Sequence, residues 1–352
     1  MTDNNSRIRR RGQAAERPSP VDNAVVDAAE VKPSSPYDAI FKQKMIDAGV
    51  FPARHRQRNG DTAPTPANYQ EMLRELKAPR DSSCSITTKE FNEYLDGLPG
   101  QSEEVLVTAG VVVKMIGTQN LREHQGAEKL FNNPRPIRHD ITRPKPDFYA
   151  GAFTEELHES VRKHLNDYII PCSNDSLPAV PNFFFEGKYG PGRPDVALLQ
   201  ALYDGAVGSR AIFELQNYKN PPAERHCDNN AYTMVFTYVA HRMTILSMHP
   251  FLRHRGLLCY QMTQLRSFIM DETIEQFQDG VLALRNAREF CKKHRDRLIR
   301  EANYMAVPNA NASFRPDSTY ELALDYEKRR REVLALRTAS RSSSSQPDAR
   351  SS

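Results

Sequence analysis

Apolar residues recur at helical spacing through the first third of the chain, then give way near Arg135 to short apolar runs and a second set of helical patterns. YDAIFKQKMIDAGV (37–50) and ANYQEMLRELK (67–77) predict two helices, separated by the breaker-rich FPARHRQRNGDTAPTP. TTKEFNEYLDG and SEEVLVTAGVVVKMIG predict two more, the second opening with Ser102 as N-cap and two glutamates in its first turn. From 135 onward PRPIRHDITRPKPDFYAGAF reads as Pro-rich and extended, with a short strand in PDFYAG, and residues 153–168 read as an amphipathic helix. NFFFEGK predicts a strand, and RPDVALLQALYDGAVGSRAIFELQNY a long helix with Pro194 near its first turn. NNAYTMVFTYV and HRMTILSMH alternate across a short turn like an antiparallel hairpin, GLLCYQMTQL adds a strand, and DETIEQFQDGVLALRNAREFCKKHRDRLIREANY closes as a helix of roughly 30 residues.

Helices followed by mixed strands and helices imply an α/β or α+β class with a mixed sheet flanked by helices. The expected organisation is a disordered tail over 1–35, a helical region over 36–134, a core over 135–304, an extension with a helix over 305–337 and a disordered Ser/Arg-rich tail over 338–352. A chain of 352 residues with 39% hydrophobic and 26% charged residues can bury a sizeable core, and its net charge of +4 permits an anionic partner without requiring one. Cys84, Cys172, Cys227, Cys259 and Cys291 lack the paired spacing of a zinc or redox site and read as reduced, mostly buried thiols. The basic N-terminus is followed by no apolar stretch and no run of about 18 apolar residues occurs, so the expected location is cytoplasm or nucleus.

The segment NFFFEGKYGPG (182–192) carries the chemistry. Strand alternation puts Glu186 and Lys188 on one face with Phe184, and Phe183, Phe185 and Gly187 on the other. Two opposite charges on a sheet are tolerated if they pair, or if a metal ion and an anionic substrate join them. Glu-x-Lys at a strand end is the second half of the PD-(D/E)xK pattern, and Pro146-Asp147 supplies the first half 39 residues upstream. The tripeptide alone carries no weight, since Glu-x-Lys also occurs at Glu30/Lys32 and Glu75/Lys77, and Pro-Asp recurs at Asp195, Asp317 and Asp348. Only the 147/186/188 set ends an apolar strand and has its partner one strand and one helix earlier. Two carboxylates are suited to hold Mg²⁺ or Mn²⁺, which neutralises phosphate charge and acidifies a bound water, while a lysine orients that water or stabilises the developing charge. A surface ion pair on a sheet remains the plain alternative.

PKPDFYAGAFTEE, FFFEGKYGPG, ALLQALYDGAVGSRAIFELQNY and NNAYTMVFTYV resemble a protein family of filamentous fungi whose members resemble the PD-(D/E)xK, restriction-endonuclease-like nucleases. The resemblance runs through about 140–300 and is stronger for the fungal family than for any enzyme of established activity. It implies a four-stranded mixed sheet flanked by helices, Asp147 and Glu186 as metal-binding acids and Lys188 as the catalytic lysine. Gln200 resembles a glutamine that some members place near the active site, with Tyr203 following after three residues where the pattern has four. An additional upstream acid has only Glu123 and Glu128 as candidates. On this reading the chain is a metal-dependent nuclease; the alternative is a catalytically inactive nuclease-like fold that binds nucleic acid or protein.

A candidate nucleic-acid surface lies on the closing helix, where Arg285, Arg288, Lys292 and Arg295 share one helical face and 285–301 holds seven Lys/Arg against three Asp/Glu. Such a stripe is equally the mark of a solvated helix face. RIRRR (7–11) and KRRR (328–331) have the composition of nuclear-import signals. No HExxH or Gly-x-Ser-x-Gly pattern occurs, His249 and His254 lie in a loop-like HPFLRHR, and Gly190 and Gly192 lack the spacing and lysine of a P-loop and read as a turn.

Overall fold

Because the apolar runs after Arg135 are too short for helices and rich in Phe, Val, Tyr and Met, they pair laterally and bury both faces. The computed structural model describes residues 32–307, apart from 57–59, 61, 81–85, 99–114, 116–123, 175 and 189–191. The described residues from Pro33 onward belong to one packing unit. Seven strands, β1 (Val50–Phe51), β2 (His124–Gly126), β3 (Phe148–Ala152), β4 (Ala179–Lys188), β5 (Thr233–Val239), β6 (Arg242–Leu252) and β7 (Leu258–Ile269), form one mixed sheet in the order β1-β7-β6-β5-β4-β3-β2. The β1/β7 and β4/β5 pairs are parallel and the remainder antiparallel. The fold is therefore α/β with a mixed sheet, as the element order implies, but with seven strands where the pattern predicts five and the resemblance implies four. The additional edge strands β1 and β2 both come from the region before 135, so the sheet crosses the expected boundary at 134/135.

Helices cover both faces. Helix α1 (Phe41–Asp47) and helix α6 (Pro194–Gln216) pack Phe41, Met45, Ala201, Leu202 and Ala206 against Phe184, Val235, Leu246 and Met248. On the other face, α2 (Tyr69–Glu75), α3 (Thr88–Gly97) and α7 (Ile274–Ala306) bring Met72, Phe91, Tyr94, Phe277, Val281 and Leu284 onto Phe183, Phe185, Met234 and Phe236. The alternation of β4 is thus resolved as expected, with odd and even residues in separate cores.

Local signals explain the element ends. Thr87 and Glu90 form a reciprocal capping box that starts α3, and Thr273 accepts the Gln276 N–H at the start of α7. Pro194 occupies the first turn of α6, where its missing N–H costs nothing. The β5/β6 hairpin closes through Ala240 and His241, both at positive φ (47° and 60°), the pattern of a type I′ turn.

Three expectations change. Residues 153–168 do not form one helix: a 3₁₀ turn at Thr154–Glu156 precedes α4 (Glu159–His164) and α5 (Asn166–Ile169). The Glu156 carboxylate accepts the Phe153 N–H and His158 Nδ1 accepts the Ser160 N–H, so local caps restart the helix. HPFL is not a loop, since β6 runs through His249 to Leu252. The expected disordered tail over 1–35 ends earlier, since Ser34 is buried and bridges to Ile141. Residues 1–31 and 308–352, Gly190, the two basic runs and, apart from Met115, the helix opened by Ser102 lie outside the described residues. Cys172, Cys227, Cys259 and Cys291 form no disulfide, and all are buried except the half-buried Cys227.

Candidate functional site

Strand register brings the two halves of the motif together. Phe148 pairs with Phe185 in the antiparallel β3/β4 ladder, so Asp147, one residue before β3, stands opposite Glu186. The two residues clasp each other: the Asp147 N–H donates to Glu186 Oε1 at 3.3 Å, and Asp147 Oδ2 accepts the Gly187 N–H at 2.8 Å. Lys188 follows at the last position of β4, on the same side as Glu186.

The third wall is α6. Gln200, Asp204 and Gly208 recur at i, i+4 and i+8, one helical face. Gly208 lets that face approach β4, since a Cβ there would lie 2.5 Å from the Phe184 ring and 2.9 Å from the Pro181 carbonyl. Asp204, a turn earlier on the helix, and Gln200, a turn before that, then lie over the strand end that carries Glu186 and Lys188. Asp147, Glu186, Lys188, Gln200, Tyr203 and Asp204 line one cleft of 360 Å³.

Charge in this cleft is buried. Glu186 is 0% exposed and Asp204 1%, with Asp147 and Lys188 at 6% and 7%. Desolvation, followed by the charges of Asp204 and Asp147, pushes the Glu186 carboxyl well above the usual range, with Lys188 acting in the opposite direction. Burial raises Asp204 too, while a hydrogen bond from Glu186 holds it lower than burial alone would. Both carboxyls therefore hold a proton more readily than exposed acids do, each opposing the ionisation of the other. The outer oxygens, Glu186 Oε2 and Asp204 Oδ2, and the amide oxygen of Gln200 are buried without a hydrogen-bond partner.

Of the residues singled out in the sequence, Asp147, Glu186, Lys188 and Gln200 converge. Glu128 also lines the cleft, where it pairs with Lys145, whereas Glu123 lies outside the described residues. Asp204 was missed; its signal was the four-residue step from Gln200 on the face that Gly208 presses onto the strand.

The basic stripe of α7 is a correction. Arg288 is 3% exposed and Arg295 1%, Arg295 Nη1 donating to the Asn182 side chain at 3.0 Å. Arg285 is half-buried with its Nε on the Met115 carbonyl at 2.9 Å, and half-buried Lys292 pairs with Asp296. Helical spacing put the four on one face, and that face turns inward because it also carries Phe277, Val281, Leu284 and Leu298.

The donor set of the cleft, carboxylates and an amide oxygen with no sulfur or imidazole, fits a hard dication by chemistry. Its orphaned, buried oxygens at Glu186 and Asp204 fit the same kind of group. As placed, however, no three His, Cys, Asp or Glu side chains among the described residues are grouped to hold an ion, because the acids bond to one another and to Gly187. No described helix is long and apolar enough to cross a membrane. Compared with protein-family models and with curated proteins, the sequence matches none.

Proposed function

We propose that the cleft hydrolyses phosphodiester bonds of nucleic acid with the help of Mg²⁺ or Mn²⁺, in a chain related to the PD-(D/E)xK nucleases. The observation that carries this reading is the convergence of Asp147, Glu186 and Asp204 with Lys188 and Gln200 on one cleft whose floor holds unpaired carboxylate oxygens. Asp147 and Glu186, joined by Asp204, are the residues that would hold the ion, which when bound neutralises phosphate charge and acidifies a water.

The remaining work belongs to the side chains. Lys188, aligned with Glu186 on the strand, donates to the attacking water or to the phosphate oxygen on which charge grows. Gln200 presents an amide near the start of α6 and orients the same water. The Gly187 N–H holds the Asp147 carboxylate at the wall of the cleft. Glu186 and Asp204, whose pKa values are raised in the cleft, would have to give up their protons to hold a cation, because buried carboxylates this close need a cation to coexist as anions.

The test is cleavage of single- and double-stranded DNA and RNA by the full chain with Mg²⁺ or Mn²⁺. Asp147→Asn and Lys188→Ala are each expected to lower the rate by at least about 10²-fold. Equal cutting by wild type and both variants overturns the assignment. The mutual bonding of the acids in this arrangement favours a second reading, a nuclease-like fold that binds without cutting; salt-dependent retardation of nucleic acid with no cleavage in either metal selects it.

A further inference from the structure

The sequence carries Arg-His-Arg twice, at 54–56 and 253–255, nearly 200 residues apart. The fold brings the two together. Phe51 of β1 is the hinge of the arrangement: the His55 ring stacks on it with centroids 5.3 Å apart and planes 15° apart, and the Arg253 guanidinium sits 5.4 Å from its centroid. Arg54, Arg56 and Arg253 are exposed, as is Lys42 on α1. Lys42 and Arg253 lie close enough to His55 to add to burial in holding its pKa below the ordinary value. Four cations thus share one surface at the β1 edge of the sheet.

Beside them lies a second cleft, of 210 Å³, lined by Arg54, His55, Thr62, Thr65, Gln261 and Thr263 among others, with no carboxylate among its described lining residues. Its geometry is built. Arg54 holds a left-handed backbone (φ 60°), an unfavourable conformation for a long side chain, and an Arg56/Thr62 bridge follows two residues later. The floor is Gln261, 6% exposed. Its amide nitrogen is committed to two carbonyls, those of Pro52 at 3.1 Å and of Met262, which leaves Oε1 buried and without a partner.

These features ask for a specific ligand chemistry. Guanidinium and hydroxyl donors without a competing carboxylate select a phosphate. A buried acceptor beside them selects a ligand that also donates. The repeated unit that offers an anionic phosphate next to a hydroxyl donor is the ribose-phosphate backbone. The surrounding exposed cations extend the positive surface beyond one phosphate, which suits a strand better than a mononucleotide.

We propose that this cleft binds the backbone of an RNA strand, a phosphate resting on Arg54 and the threonine hydroxyls and a 2′-hydroxyl donating to Gln261 Oε1, with Lys42, Arg56 and Arg253 on neighbouring phosphates. The site is separate from the acidic cleft: the Gln261 row of the sheet, paired with His249, lies beyond Thr233 and Met248, whereas the Glu186 row runs through Thr237 and Thr244. Its occupancy does not rest on catalysis in the acidic cleft.

Fluorescence anisotropy of labelled RNA and DNA strands of one sequence, with the full chain and no divalent metal, tests the proposal. RNA binding that weakens with salt is expected, several-fold tighter than DNA. Arg54→Glu and Arg253→Glu, both exposed, are each expected to weaken it about tenfold, and the log–log salt slope falls by roughly 0.7 per phosphate that the variant no longer neutralises. Gln261→Met, which keeps the shape and removes the acceptor, is expected to bring RNA down to the DNA level; melting temperatures confirm that each variant folds. Competition by inorganic phosphate or adenosine 5′-monophosphate only at far higher concentration supports a strand over a mononucleotide, and equal potency of the mononucleotide overturns that choice. Absence of RNA binding by wild type, equal affinity for DNA, or unchanged binding and slope in both reversals overturns the proposal. Because the measurement is made without divalent metal and reads binding alone, loss of cleavage in the acidic cleft and loss of RNA binding here are told apart.

Discussion

Two regions of the molecule bury charge, and they treat it in opposite ways. On α7, Arg295 is almost wholly enclosed and its guanidinium reaches Asn182, whose amide in turn donates to the Tyr232 and Cys291 carbonyls at 2.8 Å each. That charge ties a helix to a strand. In the acidic cleft, Glu186 and Asp204 are enclosed as deeply, yet their like charges face each other and two of their oxygens have no partner. Buried charge set among acceptors, as Arg295 is between the Asn182 amide oxygen and the Asp296 carboxylate at 3.6 Å, supports the fold, whereas buried charge set against its own sign is retained at the expense of stability, which marks a site.

The contrast is broken most directly at Arg295. Arg295→Ala removes a large enclosed side chain and leaves Asn182 Oδ1 without its donor, so it is expected to cost about 3 kcal/mol. For a domain of this size that is a fall of roughly 6–12 °C in melting temperature. Cleavage measured well below the new transition should keep its rate per folded molecule. A stable Arg295→Ala protein, or one that folds normally and binds nucleic acid tenfold less well, would return Arg295 to the role of a phosphate contact.

Acid stability supplies the next largest effect. His249, 0% exposed, has its pKa lowered to about 4, chiefly by burial, against about 6.5 in the unfolded chain. A depressed pKa means that the unfolded state binds the proton more readily, so the contribution is whole above pH 6.5 and is lost as pH falls towards 4. About 3 kcal/mol is expected to disappear across that window. His294 has its pKa lowered in the same direction and adds to the loss. Denaturant unfolding between pH 4 and 7 checks this: His249→Leu should flatten the acid limb, and an unchanged pH profile would contradict it.

How far these regions could be read in the sequence depends on whether the deciding contact is local. The Pro194 start, the two-residue hairpin and the alternation of β4 are short-range properties, and the predicted elements that rest on them form, while the helix that Ser102 would cap lies outside the described residues apart from Met115. The pairing of Asp147 with Glu186 was legible because the two halves of the motif end successive strand candidates, although the register that sets them opposite each other, closed across a turn and two short helices, was not. Asp204 was not, because a carboxylate inside a long apolar helix looks like any other polar residue until the closeness allowed by Gly208 is known. The stripe on α7 failed for the complementary reason. Its basic residues share a face, but the spacing of Phe277, Val281 and Leu284 shows that this face packs on the sheet, and long cationic side chains were drawn in with it. Strands β1 and β2, at two and three residues, are too short to give a periodic signal and exist only because the edges of a larger sheet are there to receive them.

The smallest expected effect bears most closely on the contrast. Asp204→Asn keeps the shape of the side chain, removes one of the two facing carboxyls and lets an amide donate to Glu186. With the metal absent, it is expected to stabilise the protein by about 1 kcal/mol at pH 8, because a neutral amide replaces one of two desolvated acids that oppose each other's ionisation. The pH dependence carries the opposite sign from that of His249. Glu186 and Asp204 both have pKa values raised in the folded state, so the native protein holds protons that the unfolded chain releases, and their contribution is whole below about pH 4 and lost as pH rises. Wild type should therefore lose stability towards alkaline pH and Asp204→Asn should lose less, while Mg²⁺ should restore the wild type and leave the variant nearly unmoved. An Asp204→Asn protein less stable than wild type at pH 8 would mean that the acidic cleft, like Arg295, is part of what holds the fold together.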